Sequence, residues 1–445
     1  MNFKHIFTIL SLFISGVTCH ATDSLQPITD IPKIWTAQQA VAFAIAGNPD
    51  STMAQKRIEQ AIAAATLSKA VNYPLVNVSS EYGQTNNPMY SFGNILNQGA
   101  FDNSLDFNDP GRTDNLQLKA QVNYRLYNGG KDQADQTAAN ANINISQTDL
   151  TAVHQRLGFE VVKTFQAIIQ AEEMMTVREA ALGSITAALE VGKARFDAGE
   201  LLKQDLLNLK LQQSRSSENL IQSRHTLEIT KRIFLNLLGL SEGEVTISTE
   251  SGLDQQIPES FDSLSHHELQ RLEAMEQAAL AELKKANGGK LPSIDAFASY
   301  QIDNGWVLDE SGDSWMAGVK MNYALFDGQK SSSEIAIAKL KVMELQSLRK
   351  KTELALNLDI QKALLDYEQA KKRLDVTKEM VGVATEVNRL SRARFTEGLI
   401  LASDLIDSEM RLSDAQARQL SANAGYQVAI ANLRRAAGLE QFSRR

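Results

Sequence analysis

The chain has 445 residues, a formal net charge of −8 at pH 7, 43% hydrophobic residues and one cysteine. The acidic balance argues against binding to nucleic acid. The single cysteine, Cys19, lies in a segment expected to be removed, so disulfides are not expected to stabilise the mature chain.

The N-terminus has the pattern of a secretory signal peptide. Lys4 gives a basic start, the apolar run at 6–17 is too short to span a bilayer, and Ala21 offers a small residue for cleavage. We therefore predict a signal peptide at 1–21. A short membrane anchor and lipidation of Cys19 are the alternatives. No later run is long and apolar enough for a transmembrane helix.

The remaining sequence repeats itself with an offset of 199 residues. The segment ARFDAGELLKQDLL at 194–207 returns as ARFTEGLILASDLI at 393–406. Because the offset holds without an insertion from the second strand of each copy onward, long helices in fixed register are expected. The predicted organisation is a first structural repeat at 22–240, a linker or equatorial segment at 241–264, a second structural repeat at 265–440 and a C-terminal tail at 441–445.

Each repeat reads as helix, strand, loop, strand, long helix, tip and helix. The first helix is predicted at 36–72, where Thr36 and Gln39 match a capping box, and its counterpart is predicted to begin at Ser265. Apolar stripes without internal caps indicate that the two long helices pack along their length as coiled coils. The remaining predicted helices are 131–196, 200–238, 266–290, 331–395 and 398–437.

Two adjacent histidines, His266 and His267, stand at the predicted start of the second repeat. Adjacent side chains diverge on a helix, and a helix start explains the stretch, so no metal site is expected. No cofactor and no catalytic residue are expected either.

Four segments alternate between apolar and polar residues, which is the signature of strands with one apolar face. LQLKAQVNYRLY at 116–127 is the clearest of them. The lengths suit strands that cross a bilayer when tilted. The segments are 76–82, 116–127, 294–301 and 315–325. The residues predicted to face lipid are Leu118, Val122, Tyr124, Val319, Met321 and Tyr323.

Two ordinary hairpins, each covering a soluble core, would give the same alternation. The helices, however, are committed to one another, so lipid is the better cover for the apolar faces. Open strand edges are not tolerated in hydrocarbon, and four strands are fewer than the roughly eight that close a barrel. The chain is therefore expected to form oligomers, of a number that the strands alone do not fix.

Several motifs together resemble the TolC-like outer-membrane efflux protein family. WTAQQAVAFAIAGNP resembles the family's opening helix, YRLYNGGK and YALFDGQK resemble its strand-to-helix junctions, and the two ARF segments resemble its helix-turn-helix tips. The match extends over roughly 35–440.

The resemblance implies an α+β membrane protein. Four strands per chain would close as a homotrimer into a β-barrel surrounded by outer-membrane lipid. A long α-helical coiled-coil barrel, built on the internal tandem repeat, would continue it into the periplasm. The implied function is that of a passive exit duct in a tripartite efflux or type I secretion system. The implied partners are a periplasmic adaptor and an inner-membrane pump of the resistance-nodulation-division or ABC type.

The resemblance also implies two sites at the tips. The family's gating carboxylates lie six and nine residues after the second tip glycine, and these positions are Asp404 and Asp407 here, with Asp205 as a first-tip equivalent. The family's lock expects a tyrosine at Phe395 and an arginine at Ile400, so this chain departs from it. The residues expected to dock the adaptor are Arg195, Gly199, Arg394 and Gly398.

Two other classes of protein are alternatives to the channel. A periplasmic adaptor, or membrane fusion protein, also has a coiled-coil hairpin and β-structure, but normally only one such hairpin. An exported hydrolase would need a nucleophile or metal arrangement that the mature chain's histidines do not form. Within the channel interpretation, drug or metal efflux and protein secretion are not separated by the sequence.

Overall fold

The computed structural model describes residues 31–248, 257 and 266–442. The signal peptide at 1–21, Ser265 and most of the linker at 241–264 lie outside the described residues. The helices are α1 (Ala37–Gly47), α2 (Pro49–Ser68), α3 (Pro88–Asn97), α4 (Lys131–Asp197), α5 (Lys203–Leu237), α6 (His267–Gly288), α7 (Lys330–Thr396) and α8 (Ala402–Ala436). The strands are β1 (Leu75–Thr85), β2 (Thr113–Tyr127), β3 (Ser293–Asn304) and β4 (Ser311–Asn322).

The chain divides into two compact units, and each unit takes segments from both sequence repeats. One, the sheet unit, contains all four strands, and the other, the tip unit, contains the turns that follow α4 and α7. The sheet unit comprises Met53–Phe159, Gln255–Met380 and Gly425–Arg445, and the tip unit comprises Met1–Thr52, Glu160–Asp254 and Val381–Ala424.

The two long helices confirm the prediction closely, because α4 and α7 each have 67 residues. One apolar stripe of each helix turns inward: Val161, Phe165 and Ile168 of α4 are fully buried, and Ile360 and Tyr367 of α7 are buried as well. No helix among the described residues combines the length and apolar character needed to cross a bilayer.

The predicted single helix at 36–72 is wrong, because it breaks at Asn48. This residue is extended, with φ −72° and ψ 133°, and α2 starts afresh at Pro49. A proline disfavours helical backbone in the residue before it and has no N–H to donate. The capping box is confirmed, since the Gln39 N–H donates to Thr36 Oγ1 at 3.2 Å and the Thr36 N–H donates to Gln39 Oε1 at 3.3 Å.

The second repeat opens on a different cap from the predicted Ser265. His266 is the N-cap of α6, and its Nδ1 accepts the Glu268 N–H at 3.2 Å. The two histidine rings stack, with centroids 4.2 Å apart, instead of diverging, because His266 lies outside the helix. Burial, followed by the neighbouring His267, lowers the pKa of His266 to about 4. In the described part of the chain, no cluster of three or more metal-ligating side chains is present.

The strands form one antiparallel sheet in the order β1-β2-β3-β4, so β1 and β4 each have a single neighbour. The prediction that Tyr323 belongs to the fourth strand is wrong, since β4 ends at Asn322. Asn322 pairs with Ser293, the first residue of the neighbouring strand β3. The ladder ends there because the preceding Pro292 has no N–H to extend it.

The loop of the first hairpin contains α3, which the sequence analysis did not predict. Asn87 caps this helix by accepting the Met89 N–H at 3.1 Å, and Pro88 occupies its first position. An asparagine followed by proline is a helix-start signal, because proline fits the first turn where no N–H is needed.

Candidate functional site: the sheet faces and the helix tips

One face of the sheet collects the apolar side chains of all four strands. The register places Val76, Val122, Ala298 and Ala317 side by side in one row. Along the middle of β2, from residue 118 to residue 124, the even-numbered apolar residues are exposed, whereas the odd-numbered polar residues are half-buried. The predicted lipid-facing strand residues that are exposed in this way are Leu118, Val122, Tyr124, Val319 and Met321.

The opposite face carries a polar network centred on Asp303, which is only 1% exposed. Its carboxylate accepts hydrogen bonds from the side-chain amides of Asn115 (2.6 Å), Gln117 (3.2 Å) and Gln301 (3.0 Å). Along the central strands β2 and β3, the polar face is the less exposed one, which indicates that the sheet curves toward it there.

This arrangement is the reverse of a sheet in a water-soluble protein. Apolar side chains on an exposed convex face are stable only if something apolar covers them, and lipid does so along the whole strand. The concave polar face suits a water-filled interior.

The two tips have the same backbone geometry. Gly199 follows α4 with φ +80° and Gly398 follows α7 with φ +76°, a left-handed conformation that glycine adopts without a steric penalty. In both tips the next N–H reaches back to the helix: Glu200 to the Arg195 carbonyl and Leu399 to the Arg394 carbonyl, both at 2.8 Å. The predicted helix-turn-helix tips are confirmed.

A hydrophobic core links the tip residues of both repeats. Its buried members are Ile185, Ala188, Leu189, Leu209, Phe395, Ala402 and Leu405. Phe395 is fully enclosed in this core and Ile400 packs against it. The two positions where the family resemblance expects a polar lock therefore contribute to apolar packing in this chain.

Arg195 binds the second tip from the first. Its guanidinium donates to the Phe395 carbonyl at 3.0 Å and lies 5.5 Å from the centre of the Phe395 ring. A side chain at Gly398 would meet this guanidinium, with a contact of 2.9 Å, so the glycine leaves room for it. Only 16% of the Arg195 side chain is exposed, whereas Arg394 is exposed.

The three candidate gate residues lie within the first two turns of the helices that follow the tips. Asp404 and Asp407 are exposed on α8, on the side opposite the buried Ala402 and Leu405. Asp407 forms an exposed ion pair with Arg411 at 2.8 Å. Asp205 occupies the first turn of α5 and is half-buried.

A half-buried ion pair near the second tip was not predicted from the sequence. Arg392 of α7 donates twice to Glu409 of α8, at 2.6 and 3.0 Å, and the Glu409 side chain is 9% exposed. Beside it, Asn388 donates to Ser408 at 3.3 Å, and both residues are buried. Arg392 precedes the tip glycine Gly398 and Glu409 follows it at unequal distances along the chain, so their spacing did not signal this pair.

A sheet that is apolar outside and polar inside, together with two long coiled helices and their tips, defines the chain as a membrane channel protein. The model of the outer membrane efflux protein family matches residues 41–239 and 263–439, which cover most of the chain. The chain therefore belongs to this family.

Individual relatives are distant. The chain is 22% identical over 224 residues to the outer membrane efflux protein BepC of Brucella suis, covering 49% of either protein. It is 21% identical over 395 residues to nodulation protein T of Rhizobium leguminosarum, covering 84% of this chain and 79% of that protein. The outer membrane channel CmeC of Campylobacter jejuni has the same fold, with a TM-score of 0.78, 14% identity and coverage of 94% of this chain and 92% of CmeC.

The family assignment confirms three expectations. The chain is located in the cell outer membrane and extends into the periplasm; it is a transport channel component and not an enzyme. It also decides against the periplasmic adaptor and the exported hydrolase as interpretations of the sequence.

Proposed function

We propose that three copies of this chain form one exit duct across the outer membrane, which passively conducts substrates delivered by other proteins. The observation that carries the proposal is the sheet, which has an exposed apolar face and one unpaired edge on each of β1 and β4. Unpaired edges are not tolerated in lipid, so neighbouring copies supply the missing partners. The number three follows the resemblance to the TolC-like family.

Crosslinking of the sheet edges tests this assembly. Ser79 of β1 and Ser314 of β4 belong to one row of the sheet, at its two edges. With both changed to cysteine, a bis-maleimide with a long flexible spacer, which can span the register stagger of a closed barrel, should join copies into covalent dimers and trimers in outer-membrane fractions. Lys119→Cys with Gln301→Cys is the matched control, because these residues are neighbours within one chain. Monomers alone from the edge variant, in a soluble fraction, would overturn the proposal.

We further propose that the tips dock a periplasmic adaptor, which connects the duct to an inner-membrane pump. Gly199, Arg394 and Gly398 provide the exposed contact surface, and Arg195 supports it from beneath through the Phe395 carbonyl. Gly398→Trp should abolish export while leaving trimers at normal levels. Normal export from that variant would show that the adaptor binds elsewhere.

Asp404 and Asp407 are proposed to line the narrow periplasmic entrance, with Asp205 nearby. Carboxylates from three copies would attract cations, and a multivalent cation would bind several at once. In planar-bilayer recordings, a trivalent cation added from the periplasmic side should block the wild type, and Asp404→Asn with Asp407→Asn should resist block. Added monovalent salt should weaken the wild-type block through screening. The same block in both proteins would remove these residues from the entrance.

The cargo is left open between drugs or metals and secreted protein, because the pump selects it. A resistance-nodulation-division pump or an ABC-type pump is the proposed source of the cargo.

A further inference from the structure

The loop of the first hairpin folds back onto the polar face of the sheet. Its helix α3 contacts both β2 and β4. Asn94 donates to Thr113 Oγ1 at 3.0 Å, and Gln98 donates to the Asp114 carbonyl at 2.7 Å and to Asn115 Oδ1 at 3.1 Å. Asn115 also donates to Asp303, so these contacts lie on the face that carries the polar network.

Two glycines make room for the end of α3 on that face. A side chain at Gly312 would collide with the Asn97 carbonyl, and one at Gly305 would collide with the Gln98 side chain. Gly312 pairs with Asp303 in the ladder, which places it on the polar face too. The C-terminal end of α3 therefore packs closely against the sheet at positions where only glycine leaves enough space.

The position of α3 on the sheet is stabilised by burial as well as by hydrogen bonds. Ser91, Ile95 and Gln98 are 2% exposed or less, whereas Met89 and Tyr90 point away from the sheet and are 77% and 68% exposed. Phe92, Phe101 and Phe107 form an aromatic cluster that holds the rest of the loop, with ring centres of Phe92 and Phe107 4.7 Å apart.

The position of α3 along the strands is equally defined. It contacts the end of the sheet where the hairpins turn, opposite the strand ends that continue into α4 and α7. In the proposed duct the helices are periplasmic, so α3 occupies the outer mouth, on the inside of the wall.

We infer that α3 is an inward-folded barrier that limits the size of molecules passing the outer mouth of the channel. Three copies would project Met89 and Tyr90 toward the channel axis. The second hairpin has no such barrier, because residues 305–310 alone connect β3 to β4. The inference rests on the proposed function, since the polar face lines a passage only in the closed assembly.

Thiol labelling of a position behind α3 tests the barrier. Gln121 lies on the polar face six residues beyond Asn115, about 20 Å further along the strand. In intact cells carrying Gln121→Cys, a small anionic thiol reagent should react readily from outside. A polyethylene glycol maleimide of about 5 kDa should react slowly, because access depends on pore diameter.

Two variants should release the barrier, and one should not. Replacing 86–112 by a six-residue turn removes α3, and Gly312→Val displaces its end. Both should raise labelling by the large reagent by about tenfold or more, because the pore widens. Gly83→Val is the matched control, since a side chain at this strand glycine meets nothing within 4 Å.

The outcomes separate the barrier from the channel. Equal labelling by the large reagent with and without α3, whether fast or absent, would overturn the barrier. If the small reagent also failed to label Gln121→Cys in the shortened variant, the polar face would not line a passage open to the outside. The proposed channel would then fail with it.

Discussion

The long helices α4 and α7 have the same length and corresponding places in the two repeats, but they differ in what covers their apolar side chains. No large apolar side chain of α4 is exposed, and all residues of α4 are described. Many on α7 are exposed. Most of them recur at intervals of three, four, seven, eleven or fourteen residues, which places them on one face of the helix. The exposed stripe on α7 includes Ile337, Leu340, Leu354, Leu358, Leu365, Val376, Val383, Val387 and Leu390.

The difference shows that the apolar side chains of α4 are covered within one chain, whereas a stripe of those on α7 is not. An apolar stripe along a whole helix is stable in water only when another surface covers it. For α7, a neighbouring copy of the chain is the natural cover, because helices with continuous apolar stripes pack as coiled coils. The helix and the unpaired sheet edges thus point to the same assembly.

The largest expected effect comes from charging the α7 stripe. Leu358 and Leu365 are 66% and 70% exposed in one chain, and each would contribute about 1.5–3 kcal/mol when buried against a second copy. Leu358→Asp with Leu365→Asp should abolish trimers in crosslinking experiments. Lys371→Asp, an exposed position off the stripe, should leave them intact. Full trimers from the double variant would mean that α7 faces water.

A smaller effect is expected where each long helix meets its successor. Arg392 and Glu409 connect α7 to α8, whereas the corresponding residues of the first repeat are Lys193 and Lys210. These carry like charges, and Lys193 pairs with Glu190 at 2.6 Å. Glu409→Ala should lower the opening free energy of α8 by about 1–3 kcal/mol, because it leaves Arg392 without its partner. Lys210→Ala should change α5 by less than about 0.5 kcal/mol. Amide hydrogen exchange measures both, and equal effects would contradict the asymmetry.

The smallest expected effect is a difference in stability cost between alanine at Gly199 and alanine at Gly398. Alanine at Gly199 or Gly398 should each cost about 1 kcal/mol, because both have a positive φ. Gly398→Ala should cost more, since its methyl group meets Arg195, whereas Gly199 has nothing within 4 Å. In the Arg195→Ala background the two costs should become equal, and a double-mutant cycle of thermal stability measures this. An unchanged difference would exclude Arg195 as its cause.

The long helices and the strand faces could be predicted because their information is periodic. Alternation in β2 assigns each side chain to a face before any partner strand is known, and the absence of proline leaves α4 and α7 unbroken. The break at Asn48 and the start of α3 are each marked in the sequence by a proline, Pro49 and Pro88. The prediction of the helices relied on the repeat and did not take these prolines as helix starts.

Other features depended on tertiary contact. The exposed stripe of α7 has the same helical spacing and apolar character as the buried stripe of α4, and spacing alone does not say which of them is buried within one chain. Likewise, the tie from Arg195 to Phe395 joins residues 200 positions apart through a backbone carbonyl, which no side-chain pattern reveals. The Ser265 cap was replaced by His266 for a similar reason, since a histidine nitrogen fulfilled the role expected of a hydroxyl.

The most direct test of the account compares neighbouring residues on the two sheet faces. Val122→Arg and Met321→Arg place a charge on the apolar face, where a midplane arginine in lipid costs about 2–4 kcal/mol. Gln121→Arg and Asn322→Arg place the same charge on the polar face. The yield of outer-membrane trimers should fall sharply for the first pair and stay near the wild-type level for the second. Equal yields from all four variants would contradict the assignment of lipid to the apolar face and water to the polar one.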